Sequence, residues 1–344
     1  MTHRFDAGGD GAPYSATVRL TGRRVGSLGV MKADTFVHEE TFDGIVPGSG
    51  HVSITSWVYG LRAGEWTVNA ELVRPDRYAG ATRPASGWRR GAAEQISRAT
   101  WSWRRWRITE GLALPVKTRW ALIAPLAGMP AVVPGSFTAL GVLGVVVALV
   151  VQSAILSGEG VEVGGTLAAS LLAVISGLIG AKLWSRVLHP GESLLRPGWA
   201  VDGFLVVAPL VAVAALSVLD LPIGLFLDAT TPGMFLAVAI GRVGCFFTGC
   251  CAGRCTQSRW GVWSSDRRIG ARRIPTQLLE SATGLLFAGV SAVLVLGHVI
   301  GVQGGVFVVA VASYFLVRQL LLRLRSEPRQ YLWQRTSPLV PKRA

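Results

Sequence analysis

The residues best placed to do chemistry lie in one string, Gly241-Arg242-Val243-Gly244-Cys245-Phe246-Phe247-Thr248-Gly249-Cys250-Cys251-Ala252-Gly253-Arg254-Cys255-Thr256. It holds all four cysteines of the chain, and Arg242 is the only charged residue from Pro232 to Cys250. An arginine in such apolar surroundings costs about 2.5–3.5 kcal/mol on insertion scales, so it marks a functional site by default. A guanidinium offers a fork of donors suited to phosphate and stays charged when water is removed. An anion at membrane depth is its natural partner. The cysteine spacing, C-x4-C-C-x3-C, lacks the C-x2-C knuckles of structural zinc sites. The plain reading is small, partly buried residues, with metal or redox use as the alternative. Cys245, Cys250 and Cys251 are the thiols with a possible role, Cys250 or Cys251 conceivably as a relay nucleophile. No metal or cofactor is expected.

Other polar groups interrupt the apolar background at few places. Asp228 lies fourteen residues before Arg242 and is open to two readings, a helix cap or a catalytic group. Asp202, in Trp199-Ala200-Val201-Asp202-Gly203, is a cap, a partner for an intramembrane arginine, or a base. Arg318 follows Tyr314 by four residues and so shares its helical face; its alternative is snorkelling toward headgroups. In Arg272-Arg273-Ile274-Pro275-Thr276-Gln277-Leu278-Leu279-Glu280 a proline opens a helix, and Gln277 and Glu280 point inward or toward the interface.

The elements that must hold these residues are membrane helices. Half of the 344 residues are hydrophobic (50%) and only 16% are charged, which excludes an ordinary soluble domain. Phe137–Ser157, Gly164–Trp184, Val201–Leu219, Pro232–Gly249, Thr276–Leu296 and Val302–Leu322 are each long enough to cross about 30 Å of hydrocarbon. Trp120–Val133, with Pro125 and Pro130, is either a seventh span or interfacial. Gly141-x2-Gly144 and Gly177-x2-Gly180 offer close helix approach. The expected fold is a polytopic α-helical bundle of six to seven spans behind a small soluble β-sandwich-like domain.

That domain occupies residues 1–80. Strands are read at Ala16–Leu20, Val52–Tyr59 and Trp66–Val73 from alternating apolar residues, with a turn at Arg62–Glu65. Tyr59-Gly60-Leu61 before Trp66 resembles the tyrosine corner of immunoglobulin-like sandwiches. His38, Glu39, Glu40 and Asp43 read as a solvated strand edge or turn. Residues 81–131 form a juxtamembrane linker in which Trp88, Trp101, Trp103 and Trp106 alternate with arginine. The membrane domain follows at 132–325 and a basic tail at 326–344.

The net charge of +14 comes mainly from that linker and the tail. Basic flanks favour a multi-pass membrane protein with the N-terminal domain and C-terminal tail both cytoplasmic. The arginines flank spans rather than build a recognition element, so no nucleic-acid partner is expected. No internal repeat supports a transporter.

Taken together, Gly241-Arg242-Val243-Gly244-x-Phe246-x-x-Gly249-x-x-x-Gly253-Arg254-x-Thr256, Trp260-Gly261-Val262, Arg273-x-Pro275-Thr276-Gln277-Leu278-x-Glu280 and Tyr314-x-x-x-Arg318 resemble the prolipoprotein diacylglyceryl transferase family. Gly180-Ala181-Lys182-Leu183 is similar to a further segment of that family. The resemblance implies transfer of diacylglyceryl from phosphatidylglycerol, or a related anionic phospholipid, to the lipobox cysteine of a prolipoprotein. It places Arg242 and Arg318 in phospholipid binding and catalysis. Gly244, Gly253, Arg254, Asp228, Gln277, Glu280 and Tyr314 fall at substrate-binding positions. This chain has Val201-Asp202-Gly203 where the family has His-Gly-Gly, which makes Asp202 a replacement base. Cys245, Thr248 and Cys250 stand where the family has Asn, Asn and Glu. Those departures define the alternative, a phospholipid-binding scaffold of the same fold without transfer chemistry.

Overall fold

The computed structural model describes residues 2–24, 34–58, 65–73, 94–95, 116–117, 132–133, 135–188 and 201–326. The chain divides into two compact units: residues 1–137, 243–279 and 321–344, and residues 138–242 with 280–320.

The first unit is built on strands. Its larger sheet has the order β3-β2-β5-β6, with β2 Tyr14–Arg24, β3 Thr35–Ile45, β5 Glu65–Val73 and the short β6 Glu94–Gln95; β7, Val116–Lys117, also pairs with β5. Alternation sets the faces of β2. Ala16, Val18 and Leu20 are buried, and each is flanked by half-buried neighbours. The register matches Leu20 with Ala70 of β5 and His38 of β3. The smaller sheet, β1-β4-β9-β8, is made of β1 Thr2–Asp6, β4 His51–Thr55, β8 Val262–Ser265 and β9 Ile269–Arg273. One core of Val18, Leu20, Val52, Ile54, Val68, Ala70 and Ala271 unites both sheets, so the sandwich expectation is met. Residues 1–80 do not close it alone, because β4 pairs with β9, two hundred residues downstream, through Ser53↔Gly270 and Ile54↔Ile269. Trp263 donates its indole N–H to His51 O at 3.1 Å, and Gln257 donates to Pro47 O. The strand read at Val52–Tyr59 ends at Thr55, and Tyr59 and the turn at 62–64 lie outside the described residues, as does nearly all of the linker.

The helices are α1 Ser136–Gly158, α2 Val163–Leu188, α3 Val201–Val218, α4 Ile223–Thr248, α5 Thr276–Leu296 and α6 Gly305–Leu322. Five of them are long and apolar enough to cross a membrane, and α3 contributes a shorter apolar stretch, Gly203–Val218. The candidate seventh span falls outside the described residues except for Val132 and Val133. One boundary departs from expectation. Pro232, read as the start of a span, lies inside α4, which begins nine residues earlier at Ile223. In a membrane bundle, side chains and neighbouring helices make an internal proline tolerable. The carbonyl that the missing N–H would have served is that of Asp228; the neighbouring hydroxyls of Thr230 and Thr231 satisfy themselves on Phe226 O and Leu227 O at 2.6 and 2.9 Å.

Small residues bring the helices of the second unit together. A Cβ on Gly144 of α1 would sit 3.1 Å from Ala237 Cα of α4, and one on Gly180 of α2 2.9 Å from Gly203 O of α3. Gly141 meets nothing within 4 Å, so only one glycine of the first pair serves this purpose. A buried polar chain crosses the bundle interior: Ser170 donates to Gln152 Oε1 at 2.8 Å, and Gln152 Nε2 donates to Thr230 Oγ1 at 2.5 Å. Each polar group thereby finds a partner that the hydrocarbon cannot supply.

Candidate active site

Within the helical unit the centre of interest is an ion pair. Arg242, in the last third of α4, sets its Nε 2.6 Å from Glu280 Oε2 in the second turn of α5. The glutamate side chain is 1% exposed and the arginine 13%. Two features bring these helices close enough. A Cβ on Gly284 would lie 3.1 Å from Phe235 O and 3.2 Å from Ala239 N, and Ser281 Oγ donates to Ala239 O at 2.8 Å. Gly241 and Gly244 flank Arg242, and glycines so placed would be expected to let a neighbouring backbone approach. Gly241 instead faces open space, and the contact is made by Gly284 and Ser281. The pair is neutral as a unit, so Glu280 orients Arg242 and offsets the cost of burying it.

A second group sits on α6. Tyr314 is 7% exposed and packs its ring 5.2 Å from Phe235 of α4 and 5.7 Å from Phe287 of α5. Its hydroxyl is buried without a hydrogen-bond partner among the described residues. An unmet buried hydroxyl costs about 1–3 kcal/mol, which a bound polar group recovers. Arg318 lies one turn further on and is half-buried, with no ion pair among the described residues. Helices α4 and α6 run parallel, because Asp228 near the start of α4 bonds to the start of α6. From the Phe235–Tyr314 contact, Arg242 is therefore about 10 Å and Arg318 about 6 Å along, both toward the same end of the bundle.

Asp228 itself stands apart. Its carboxylate accepts from Gly304 N at 2.7 Å and Phe307 N at 3.0 Å, which caps α6. It lies about 21 Å along α4 from Arg242, and both of its oxygens serve the first turn of a neighbouring helix. Of the two readings of Asp228, the bonds match a helix cap, made to α6 rather than to its own helix. Asp202 occupies the first turn of α3, and its side chain lies outside the described residues.

In the first unit, α4 ends in a reversal. Gly249 (φ 72°) and Cys251 (φ 55°) both take left-handed backbone. A Cβ on Gly249 would sit 2.8 Å from Ser265 O, so the glycine is required on both counts. Gln277 Nε2 donates to Cys250 O at 2.9 Å, and Thr276 Oγ1 to Cys251 O at 3.2 Å. Cys245 is buried, Cys250 and Cys251 are half-buried, and none of the four cysteines is in a disulfide. Hydrogen bonding with Cys245, then with Cys251, followed by burial, holds the Cys250 thiol far above the usual thiol range.

Gly253 has no room for a side chain, since a Cβ would meet Ile274 O at 2.0 Å. Arg254 is exposed. Its backbone bonds to Leu324 O and Ile274 N, both at 3.0 Å, and its Nε donates to Arg325 O at 3.3 Å. Gly244 is buried, and its carbonyl lies 3.5 Å from Ser136 Oγ. Gln277, Gly253 and Arg254 therefore shape this loop through backbone contacts. Thr248, at an asparagine position of the family resemblance, bonds to Ser136 Oγ at 2.8 Å and accepts from Phe137 N at 3.0 Å, at the start of α1. Sequence reasoning also missed Asp266. It binds Arg273 Nη2 at 2.6 Å and closes the β8–β9 turn by accepting from Arg268 N and Ile269 N. An aspartate three residues before an isoleucine that opens a strand was the available signal.

A family model described as prolipoprotein diacylglyceryl transferase matches residues 135–339. The chain belongs to the prolipoprotein diacylglyceryl transferase family. The match takes in all six helices and the β8–β9 hairpin, and leaves β1 to β7 outside. Curated relatives named phosphatidylglycerol–prolipoprotein diacylglyceryl transferase agree. One from Dehalococcoides mccartyi is 33% identical over 125 residues, 33% of this chain and 48% of its own. One from Clostridium perfringens is 32% identical over 130 residues, 33% of this chain and 49% of its own. Another, from Clostridium tetani, is 27% identical over 207 residues, 57% of this chain and 81% of its own. The chain thus spans about half the length of the first two relatives.

Proposed function

We propose that this membrane protein transfers diacylglyceryl from phosphatidylglycerol to the lipobox cysteine thiol of a prolipoprotein in the bacterial plasma membrane, with its N-terminal domain and C-terminal tail cytoplasmic. The observation that carries this reading is the set on α4, α5 and α6: Arg242 oriented by Glu280, and the Tyr314 hydroxyl and Arg318, which have no hydrogen-bond partner and no ion pair, respectively, among the described residues. The glycerol C3–O bond breaks and its electrons leave with the phosphate ester. The acceptor sulfur forms the new S–C bond and gives up its proton. Guanidinium groups fixed in a water-poor site stabilise the charge that builds on the phosphate. In this reading Tyr314 donates to a lipid oxygen and Asp202 accepts the proton.

Complementation of a transferase-deficient bacterium, read as lipidation of a known lipoprotein, tests the proposal. Full lipidation by Arg242→Ala protein in that strain sinks it. One observation favours a second reading, a phospholipid-binding scaffold. Thr248 is engaged at the start of α1, and Cys245 and Cys250 replace polar family residues. Phospholipid binding without release of glycerol phosphate by the purified chain selects that reading.

A further inference from the structure

The reversal that ends α4 gathers three thiols that the transfer chemistry above leaves unused. The sulfur atoms of Cys245, Cys250 and Cys251 all lie within 4.8 Å of one another. With zinc–sulfur bonds of about 2.3 Å, three sulfurs stand about 3.8 Å apart in a tetrahedral set and about 4.0 Å apart in a trigonal plane. Closing the present triangle on an ion therefore takes sulfur shifts below about 1 Å, within reach of side-chain torsions.

The backbone that carries the sulfurs is already fixed. Cys250 N donates to Cys245 O at 3.1 Å, and the carbonyls of Cys250 and Cys251 are held by Gln277 and Thr276. Such outer contacts orient ligands in built metal sites. Arg267 donates from Nε to Thr248 O at 3.0 Å, which ties the β8–β9 turn to the end of α4 just before the loop. Cys255 does not join the group. It packs against the β core and bridges to Arg273.

We propose that Cys245, Cys250 and Cys251 form a binding site for a thiophilic d10 cation, zinc(II) or copper(I). Three sulfur ligands satisfy copper(I) in a trigonal plane, and zinc keeps a fourth position open to water or an incoming thiol. On binding, three S–H bonds give their protons to solvent and three metal–sulfur bonds form, with no change of oxidation state.

The full chain in detergent micelles, purified with reductant and without chelator, is loaded with zinc(II) or with copper(I) in separate arms. Metal content and thiol alkylation by intact mass are then read. About one equivalent of one ion is expected, with affinity falling roughly tenfold or more in Cys245→Ser, Cys250→Ser and Cys251→Ser and holding in Cys255→Ser. Alkylation of the unsubstituted chain decides the matter where a serine variant does not fold: the ion must slow labelling of the three cysteines and spare that of Cys255. Equal loss in Cys255→Ser, undiminished binding by the triple variant, or a Cys250–Cys251 disulfide in the purified chain overturns the proposal. None of these readouts depends on lipid transfer, so the site stands or falls apart from that activity.

Discussion

Two arginines set the helical and β units in contrast. Arg242 and Arg273 each meet a carboxylate at 2.6 Å, and each lies in the family-matched segment. Arg273 is 2% exposed and is bound to its own neighbourhood: Nη1 donates to Gly253 O, and Nη2 to Asp266 and Ile269 O. Only its Nε lacks a partner among the described residues. Arg242 meets a carboxylate from another helix and keeps 13% of its side chain accessible. Burial alone therefore does not identify a ligand-handling arginine. What separates the two is the source of the carboxylate, a turn seven residues away for Arg273 and a neighbouring helix for Arg242, together with the accessibility that Arg242 keeps. That makes Arg273 scaffold and Arg242 a candidate for substrate.

The sharpest way to break this contrast is to remove Arg273. Arg273→Ala leaves Asp266 and the Gly253 carbonyl without their donor inside the first unit, and breaking a buried pair costs about 3–5 kcal/mol. The expected result is a large loss of thermal stability and of folded yield, with the lipid KM of the surviving protein unchanged. A raised KM at unchanged melting temperature reverses the roles assigned to the two arginines.

Next in size is Arg242. Arg242→Ala is expected to reduce diacylglyceryl transfer per folded molecule by about 10²–10³, the range for loss of one donor to developing charge. Arg242→Lys keeps the charge and loses the fork, so it should recover only part of the rate. Glu280→Gln, which keeps an acceptor near Arg242 and removes the counter-charge, should fall between them. Equal rates for all three variants would falsify a role for guanidinium geometry.

The sequence showed the arginine and the framework around it, because each depends on local composition. Long apolar runs announce spans, and a lone charge among them announces a site. What it hid depends on distance along the chain. The pairing of β4 with β9 joins residues near 54 and 269, and no periodicity within either strand encodes that register. Gly284 and Ser281 were invisible as the packing contacts for Arg242, because small residues are common throughout these spans. The cysteines show the same limit. Their linear spacing fits no metal knuckle, while a left-handed Cys251 after Gly249 folds three of them into one triangle. Pro232 misled for a local reason, since a proline that begins a helix in water is tolerated inside one in a membrane.

A smaller effect tests Asp228 against both arginines. Its carboxylate caps α6 rather than meeting a cation, so Asp228→Asn keeps one acceptor and gives up the charge at a helix N-terminus. A stability loss of about 1 kcal/mol is expected. Transfer rate per folded molecule should be nearly unchanged. A drop like that of Arg242→Ala moves Asp228 back into the reaction and shows the ~21 Å separation along α4 to be no barrier to coupling.

The smallest effect belongs to a third arginine, which bounds the contrast from the other side. Arg268 pairs with Glu40 and lies 5.2 Å over the ring of Phe42, yet its side chain is 56% exposed and that of Glu40 23%. Solvent screens such a pair, so Arg268→Ala should cost well under about 1 kcal/mol, and less at high salt. The β4–β9 junction it overlies rests on backbone pairing, including Thr55 N to Arg268 O at 2.7 Å, and on Ile54 and Ala271 in the shared core. Alanine at 268 retains that backbone carbonyl. Melting curves of Arg268→Ala at low and high salt should therefore nearly coincide with those of the unsubstituted chain. A salt-sensitive loss as large as that of Arg273→Ala would mean that surface charge, and not the buried strand edge, holds the N-terminal strands to the hairpin of the family domain.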